Sequence, residues 1–270
     1  MLRDDCTLQP KMNGDKYGTL WTRDEQILAL YLYCQIPFKK TKANNPEVIK
    51  LANLLGRTPA SVARKLGNFG AFDPLLAAQG ITGLAHGSKS DEVIWNEFRN
   101  DWEWLVSESE KLPEKFHAKP STPEKEEIIA TKIPTGEPEK KILTKQRIYQ
   151  DFFRRSVLSS HNNRCCMSAV EIPQLLVAGH IIPWSESKEH RLNPENGLAL
   201  CVLFDKAFDR GLMTIDEQFK VVYSKRIKDS ANDFVKSSLL IYEGRKITLP
   251  SRFCPRQEFF KWHRENLFVV

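Results

Sequence analysis

The chain has 270 residues, 41% hydrophobic and 27% charged, with a formal net charge of +6. That length suits two domains better than one, and no apolar run approaches the roughly 20 residues a membrane-spanning helix needs. The opening MLRDDCTLQPKMNGDKYG has no apolar centre and carries early acids, so no secretory signal is expected and a cytoplasmic setting is.

Six cysteines show neither a C-x-x-C pair nor regular spacing, which speaks against a disulfide framework or a structural zinc site. Cys165 and Cys166 are adjacent, a poor arrangement for two ligands of one tetrahedral ion, and the set reads as buried thiols. Charge is unevenly placed. Residues 142–270 hold 20 Lys and Arg against 14 Asp and Glu, so the excess lies there. A basic half attracts phosphate backbones, though many unrelated proteins share such a balance.

In chain order, WTRDEQILALYLYCQ predicts a helix capped by Thr22, with Asp24 and Glu25 in its first turn. The stretch from Pro46 to Leu55 predicts a second helix, stopped at Gly56. Thr58 as cap and Pro59 at the first position open a third, ending near Gly67 or Gly70. DEVIWNEFRNDWEWLVSES reads as one last helix with Val93, Ile94, Phe98, Trp102 and Leu105 inward. Between Glu47 and Asp73 stand four basic residues (Lys50, Arg57, Arg64, Lys65) and no acid. LANLLGRTPASVARKLGNF resembles a helix-turn-helix unit, and WTRDEQ loosely resembles Myb-like helical domains. On that reading Ser61, Arg64, Lys65 and Asn68 form an exposed, DNA-reading side. The alternative is a helical module that docks a protein partner and merely presents a solvated basic face.

Residues 111–141 contain LPEKFHAKPSTPEKEEIIATKIPTGEPEKK, with five prolines and few large apolar side chains. A flexible linker is expected there, between a helical domain at 1–110 and a second domain at 142–270. The second domain opens with an amphipathic helix, TKQRIYQDFFRRSVLSSH, on which Arg154 and Arg155 are candidate phosphate contacts. A β run LLVAGHIIPW, a loop, an apolar segment LALCVL and a helical FDKAFDRG come next. A hairpin MTIDEQFKVVYS and a strand-rich tail complete the prediction.

Three features between 175 and 210 carry chemistry. LLVAGHIIPW delivers His180 from a strand, NPENGLALC places Asn196 before an apolar segment, and FDKAFDRG puts Asp205 and Asp209 four apart. Residues four apart share a helix face, so both carboxylates can point at one hard cation. Phosphodiester hydrolysis needs a base for the attacking water, which a neutral imidazole supplies near pH 7. It also needs positive charge near the scissile phosphate. An asparagine carbonyl could orient the imidazole through its other nitrogen. His263, in KWHREN, is read as structural.

Residues 142–270 resemble the HNH endonucleases of the ββα-metal superfamily, in the bacterial restriction-endonuclease-like branch. The resemblance runs through RIYQDFFRRSVL, RCCMSA, IPQLLVAGHIIPW, RLNPENGLAL, DKAFDRGLMTID and YEGRKITLP…FFKWHRENLF. It implies an α+β chain, a helical N-terminal domain followed by an HNH nuclease domain that cleaves DNA. His180 would be the general base, Asn196 the middle asparagine, and Asp205 with Asp209 the ligands of Mg²⁺ or Mn²⁺. A restriction or phage-defence role is implied by the same resemblance, and a homodimer would suit double-strand cleavage. There are two departures. Gly179 precedes the base where relatives often carry a further ligand, and Phe204 stands where many carry histidine. They leave open a second reading, a DNA-binding protein derived from a nuclease and without catalysis.

Overall fold

Thr22 caps the first helix as the sequence predicts. Its hydroxyl accepts from the Glu25 amide, and the Glu25 carboxylate reaches back to the Thr22 amide at 2.9 Å. The computed structural model describes residues 16, 18–80, 89–116 and 137–269. Helix α1 (Arg23–Gln35) is buried on nearly every side, from Glu25 to Cys34, so it is a central helix rather than a two-faced surface one. Around it stand α2 (Pro46–Leu55), α3 (Pro59–Gly70), α5 (Lys89–Phe98) and α6 (Trp102–Lys115), with the short α4 (Pro74–Ala78) after α3. Gly56 adopts a left-handed conformation, φ 64°, and ends α2.

Two buried carboxylates gather the polar side chains on and around α1. Arg57 donates to Glu25 at 2.7 Å, and Asp91 of α5 accepts from Gln26, Lys65 and Asn68. Burial opposes ionisation of Glu25, yet bonds from Arg57 and Lys16 outweigh it and hold the carboxyl below its ordinary range. This geometry corrects the proposed DNA-reading face. Lys65 and Asn68 are 5% and 8% exposed and turned inward onto Asp91, while Arg64 is exposed and Ser61 half-buried. A side chain spent on a buried carboxylate has no reach into a groove.

The predicted helix over 91–109 is two. α5 ends at Phe98, and the Asp101 carboxylate accepts from the Trp104 amide at 2.9 Å to start α6. The break rotates the register, so Val93 is 60% exposed rather than inward. At the margins of the expected linker, α6 reaches Lys115 and α7 (Glu137–Ser160) begins at Glu137; residues 117–136 lie outside the described residues.

Helix α7 joins the two halves. Its Phe152 stacks on Tyr31 of α1, with centroids 5.3 Å apart, and Ser159 donates to the Cys34 carbonyl at 2.7 Å. Tyr149, Phe152, Phe153 and Val157 therefore belong to the same apolar core as α1, α2, α3, α5 and α6. Beyond α7 come β1 (Leu176–His180), β2 (Gly197–Cys201), α8 (Val202–Asp209), β3 (Met213–Ile215) and β4 (Val221–Tyr223). Strands β1 and β2 pair antiparallel with His180 opposite Gly197, and β3 pairs with β4 as the expected hairpin.

The tail is helical instead of strand-rich, with α9 (Lys225–Lys228), α10 (Asp233–Ser238) and α11 (Gln257–Asn266). In α11, Phe259, Phe260 and His263 recur at helical spacing and are buried, which the short apolar blocks of the tail disguise. His263 bonds Thr214 at 2.9 Å and the Phe208 carbonyl at 3.1 Å, a structural place as expected. Among the described residues no helix is long and apolar enough to cross a membrane.

Candidate active site

β1, β2 and α8 form one ββα unit, because α8 starts directly after the last residue of β2. β1 ends on His180 and α8 carries Asp205 and Asp209 on one face. These three side chains line a single open cleft of about 430 Å³, together with Val177, Trp184, Lys206 and Arg210. His180 and the two carboxylates, far apart in the chain, thus line one gap.

Two glycines make this approach possible. A Cβ on Gly179 would lie 2.5 Å from Asp205 Oδ1, so the space beside the base belongs to the Asp205 carboxylate. Opposite His180, a Cβ on Gly197 would meet the Val157 side chain at 2.3 Å. Its absence lets α7 press against the hairpin, and the Phe153 ring stacks on His180 at 3.7 Å and 6°. Trp184 stands edge-on to the same imidazole at 5.8 Å.

His180 Nε2 lies 2.9 Å from the Arg191 carbonyl oxygen. A carbonyl only accepts, so Nε2 carries the proton and Nδ1 keeps a free lone pair. Burial lowers the imidazole pKa to about 4, partly offset by the Arg191 carbonyl. The ring is neutral at pH 7, the form a general base requires.

Asn196 does not orient this ring. It is fully buried; its Oδ1 accepts from the Ile182 amide at 2.8 Å, and its Nδ2 donates to the carbonyls of Ile182 and His190. Asn196 thus closes the long loop between the strands, and the carbonyl of Arg191, in that loop, holds the histidine. No motif could have pointed to this backbone group, because every residue has a carbonyl.

Burial raises the Asp205 pKa to about 6, helped by the neighbouring charge of Asp209; Asp209 is raised as well, mainly by burial. Among the described residues neither carboxylate has an ion-pair partner within 4.0 Å, although Lys206 and Arg210 flank the cleft. Lys206 and Arg210 offset part of the burial cost electrostatically, and a divalent cation between the two acids would relieve more of it. No group of three His, Cys, Asp or Glu side chains suited to a metal ion occurs among the described residues. The two carboxylates on one helix face offer oxygen donors of the kind a hard divalent ion takes.

The acids imply a pH signature. A carboxyl with a raised folded pKa favours the fold when protonated, and that contribution fades as pH climbs from the ordinary 3.8 through about 6. With chelator present, Asp205→Asn should match the parent protein near pH 4 and exceed it above pH 6. The gain should be on the order of 1 kcal/mol, reduced by solvent screening. Thermal melts across pH 4–8 check this, and a difference that stays flat with pH refutes it.

Elsewhere the assignments fare differently. Arg154 donates to the Leu176 carbonyl at 2.8 Å, fastening the approach to β1, and Arg155 pairs with Glu47 of α2 at 3.7 Å. Neither lines the cleft; Arg154 is spent on that backbone bond, whereas the Arg155–Glu47 pair is open to solvent. Lys206 and Arg210 are the exposed cations on its wall. Phe204 is 3% exposed and packs on Tyr242, so the side chain at that position faces the core and not the cleft.

Residues 165–216 match the family model of the HNH endonucleases. No curated protein matches the chain. Among solved structures, the modification-dependent TagI restriction endonuclease is similar at 20% identity and a TM-score of 0.30, over 44% of this chain and 38% of that one. The similarity thus spans less than half of that enzyme's length. The matched segment contains His180, Asn196, Asp205 and Asp209, so residues 165–216 of this chain are similar to an HNH endonuclease domain.

Proposed function

We propose that this protein is a DNA endonuclease that hydrolyses phosphodiester bonds with the help of a divalent cation, Mg²⁺ or Mn²⁺. The observation that carries the reading is the shared cleft, in which a neutral His180 faces two unpartnered carboxylates. His180 Nδ1 takes the proton from the attacking water, while the Arg191 carbonyl keeps Nε2 protonated and the ring in place. Asp205 and Asp209 would hold the cation, which when bound supplies positive charge at the scissile phosphate and the leaving oxygen. Lys206 and Arg210 attract the flanking backbone phosphates. A restriction or defence setting accompanies this reading through the family resemblance, and cutting both strands would call for two copies of the chain. Groove reading by α3 is not part of it, since half of the face assigned to that task is buried.

Supercoiled plasmid incubated with the full chain should be nicked or linearised in Mg²⁺ or Mn²⁺, and chelation by EDTA should stop the reaction. DNA retained on the protein without cleavage in any divalent ion would replace this reading with a binding protein that has lost catalysis. Cleavage undiminished by EDTA would refute the role given to Asp205 and Asp209.

A further inference from the structure

The carbonyl that fixes His180 belongs to a residue whose side chain is anchored outside the HNH segment. Arg191 Nη2 donates to Glu103 Oε2 of α6 at 2.7 Å, across 88 positions of sequence. Its guanidinium also lies over the Trp184 ring, 5.3 Å from the centroid, and that indole meets the edge of His180. Asn196 secures the loop at Ile182 and His190, but residue 191 itself is held through its own side chain.

The geometry points to Glu103 as a positioning residue for the catalytic base. By holding the Arg191 side chain, it sets the carbonyl that keeps the His180 proton on Nε2 and aims Nδ1 at the cleft. The helical half of the chain then contributes to catalysis through a contact with the nuclease half, independently of any DNA that it touches. This inference rests on the nuclease reading above. A partly exposed ion pair adds little to global stability, with Glu103 40% and Arg191 22% exposed at the side chain. Small displacements of a reacting group, in contrast, cost rate steeply. Loss of the pair should therefore show in turnover and scarcely in melting.

The test compares the full-length parent with Glu103→Ala, Glu103→Gln, Arg191→Ala and the Glu103→Ala/Arg191→Ala double variant on plasmid in Mg²⁺. Glu103→Ala and Arg191→Ala should each lower kcat about tenfold, with KM for DNA within about twofold and a melting temperature within about 2 °C of the parent, whereas Glu103→Gln, which can still accept from Arg191, should keep most of the activity. The double variant should be no slower than the single alanine variants, because both act through one element. In ¹⁵N NMR, the His180 Nε2 proton, identified by its loss in His180→Ala, should exchange quickly with water in Glu103→Ala and slowly in the parent. A kcat within twofold of the parent in either single alanine variant, losses that multiply in the double variant, or a raised KM at unchanged kcat would each overturn the proposal. If the parent itself cuts nothing, the nuclease reading has failed separately, and the ring proton decides alone. Its persistence in Glu103→Ala overturns the positioning role, and its loss upholds it.

Discussion

His180→Ala should reduce plasmid cleavage by about 10²–10⁴-fold, the range over which a positioned base contributes, with little effect on DNA affinity. The imidazole qualifies for two connected reasons. Its Nε2 proton is committed to the Arg191 carbonyl, which leaves Nδ1 unprotonated, and it shares the cleft with Asp205 and Asp209. Alanine forfeits the stacking on Phe153, but the hairpin pairing and the Asn196 bonds involve other groups, so the fold should persist. Initial rates at saturating plasmid, beside a binding isotherm in Ca²⁺, separate turnover from affinity. A variant that cuts as fast as its parent would remove the proposed hydrolytic centre; one that binds DNA far more weakly would make His180 a contact instead of a base.

Arg252→Ala should destabilise the chain by roughly 3–5 kcal/mol, because removing the buried guanidinium leaves the neutral acceptors it satisfies without a donor and opens a cavity. Arg252 is fully buried, and its guanidinium donates to the Tyr33 carbonyl at 2.6 Å, the Ile36 carbonyl at 2.8 Å and the Ser159 hydroxyl at 3.1 Å. Those carbonyls close the C-terminal end of α1, where a cation also suits the helix dipole. Tyr33 and Phe253 cover the guanidinium with their rings at 4.5 and 5.4 Å. One side chain from the C-terminal half therefore fastens the central helix of the N-terminal half, beside α7. At about 2–4 °C per kcal/mol for a chain of this size, the melting temperature should fall by roughly 6–20 °C. Arg252→Lys should recover only part of it, since a single ammonium cannot span three acceptors. A melting temperature within 2 °C of the parent for the alanine variant would show that the two halves do not depend on this bond set.

The caps and stops of the helical half were legible because they are local. Thr22, Gly56 and Thr58 act on amides and carbonyls within a few positions of themselves. The fate of Lys65 and Asn68 was not legible, because it depends on Asp91, which is 26 and 23 positions further along. A basic helix face looks the same in sequence whether it meets solvent or a buried acid. Val93 shows a related limit: a continuous apolar period concealed the cap at Asp101 that splits the helix.

In the cleft, the order His180, Asn196, Asp205, Asp209 could be read directly, since residue chemistry and a four-residue spacing on one helix suffice to suggest two ligands beside a base. Their division of work could not. Sequence reasoning gave Asn196 the task of orienting the imidazole, whereas its amide is consumed by Ile182 and His190 and a backbone carbonyl does the orienting. Gly179 appeared as a missing ligand until Asp205 was seen to occupy its space.

By itself, then, the sequence determined the candidate site residues, the helix boundaries set by caps, and the ββα order that carries those residues. Tertiary structure alone decided which polar side chains are already spent, which backbone atom holds His180, and how closely the helical half presses on the C-terminal half. The reason is physical. Residue type and short-range spacing fix what a group can do, but burial and hydrogen-bond partners, which decide what it does, are set by residues tens of positions away.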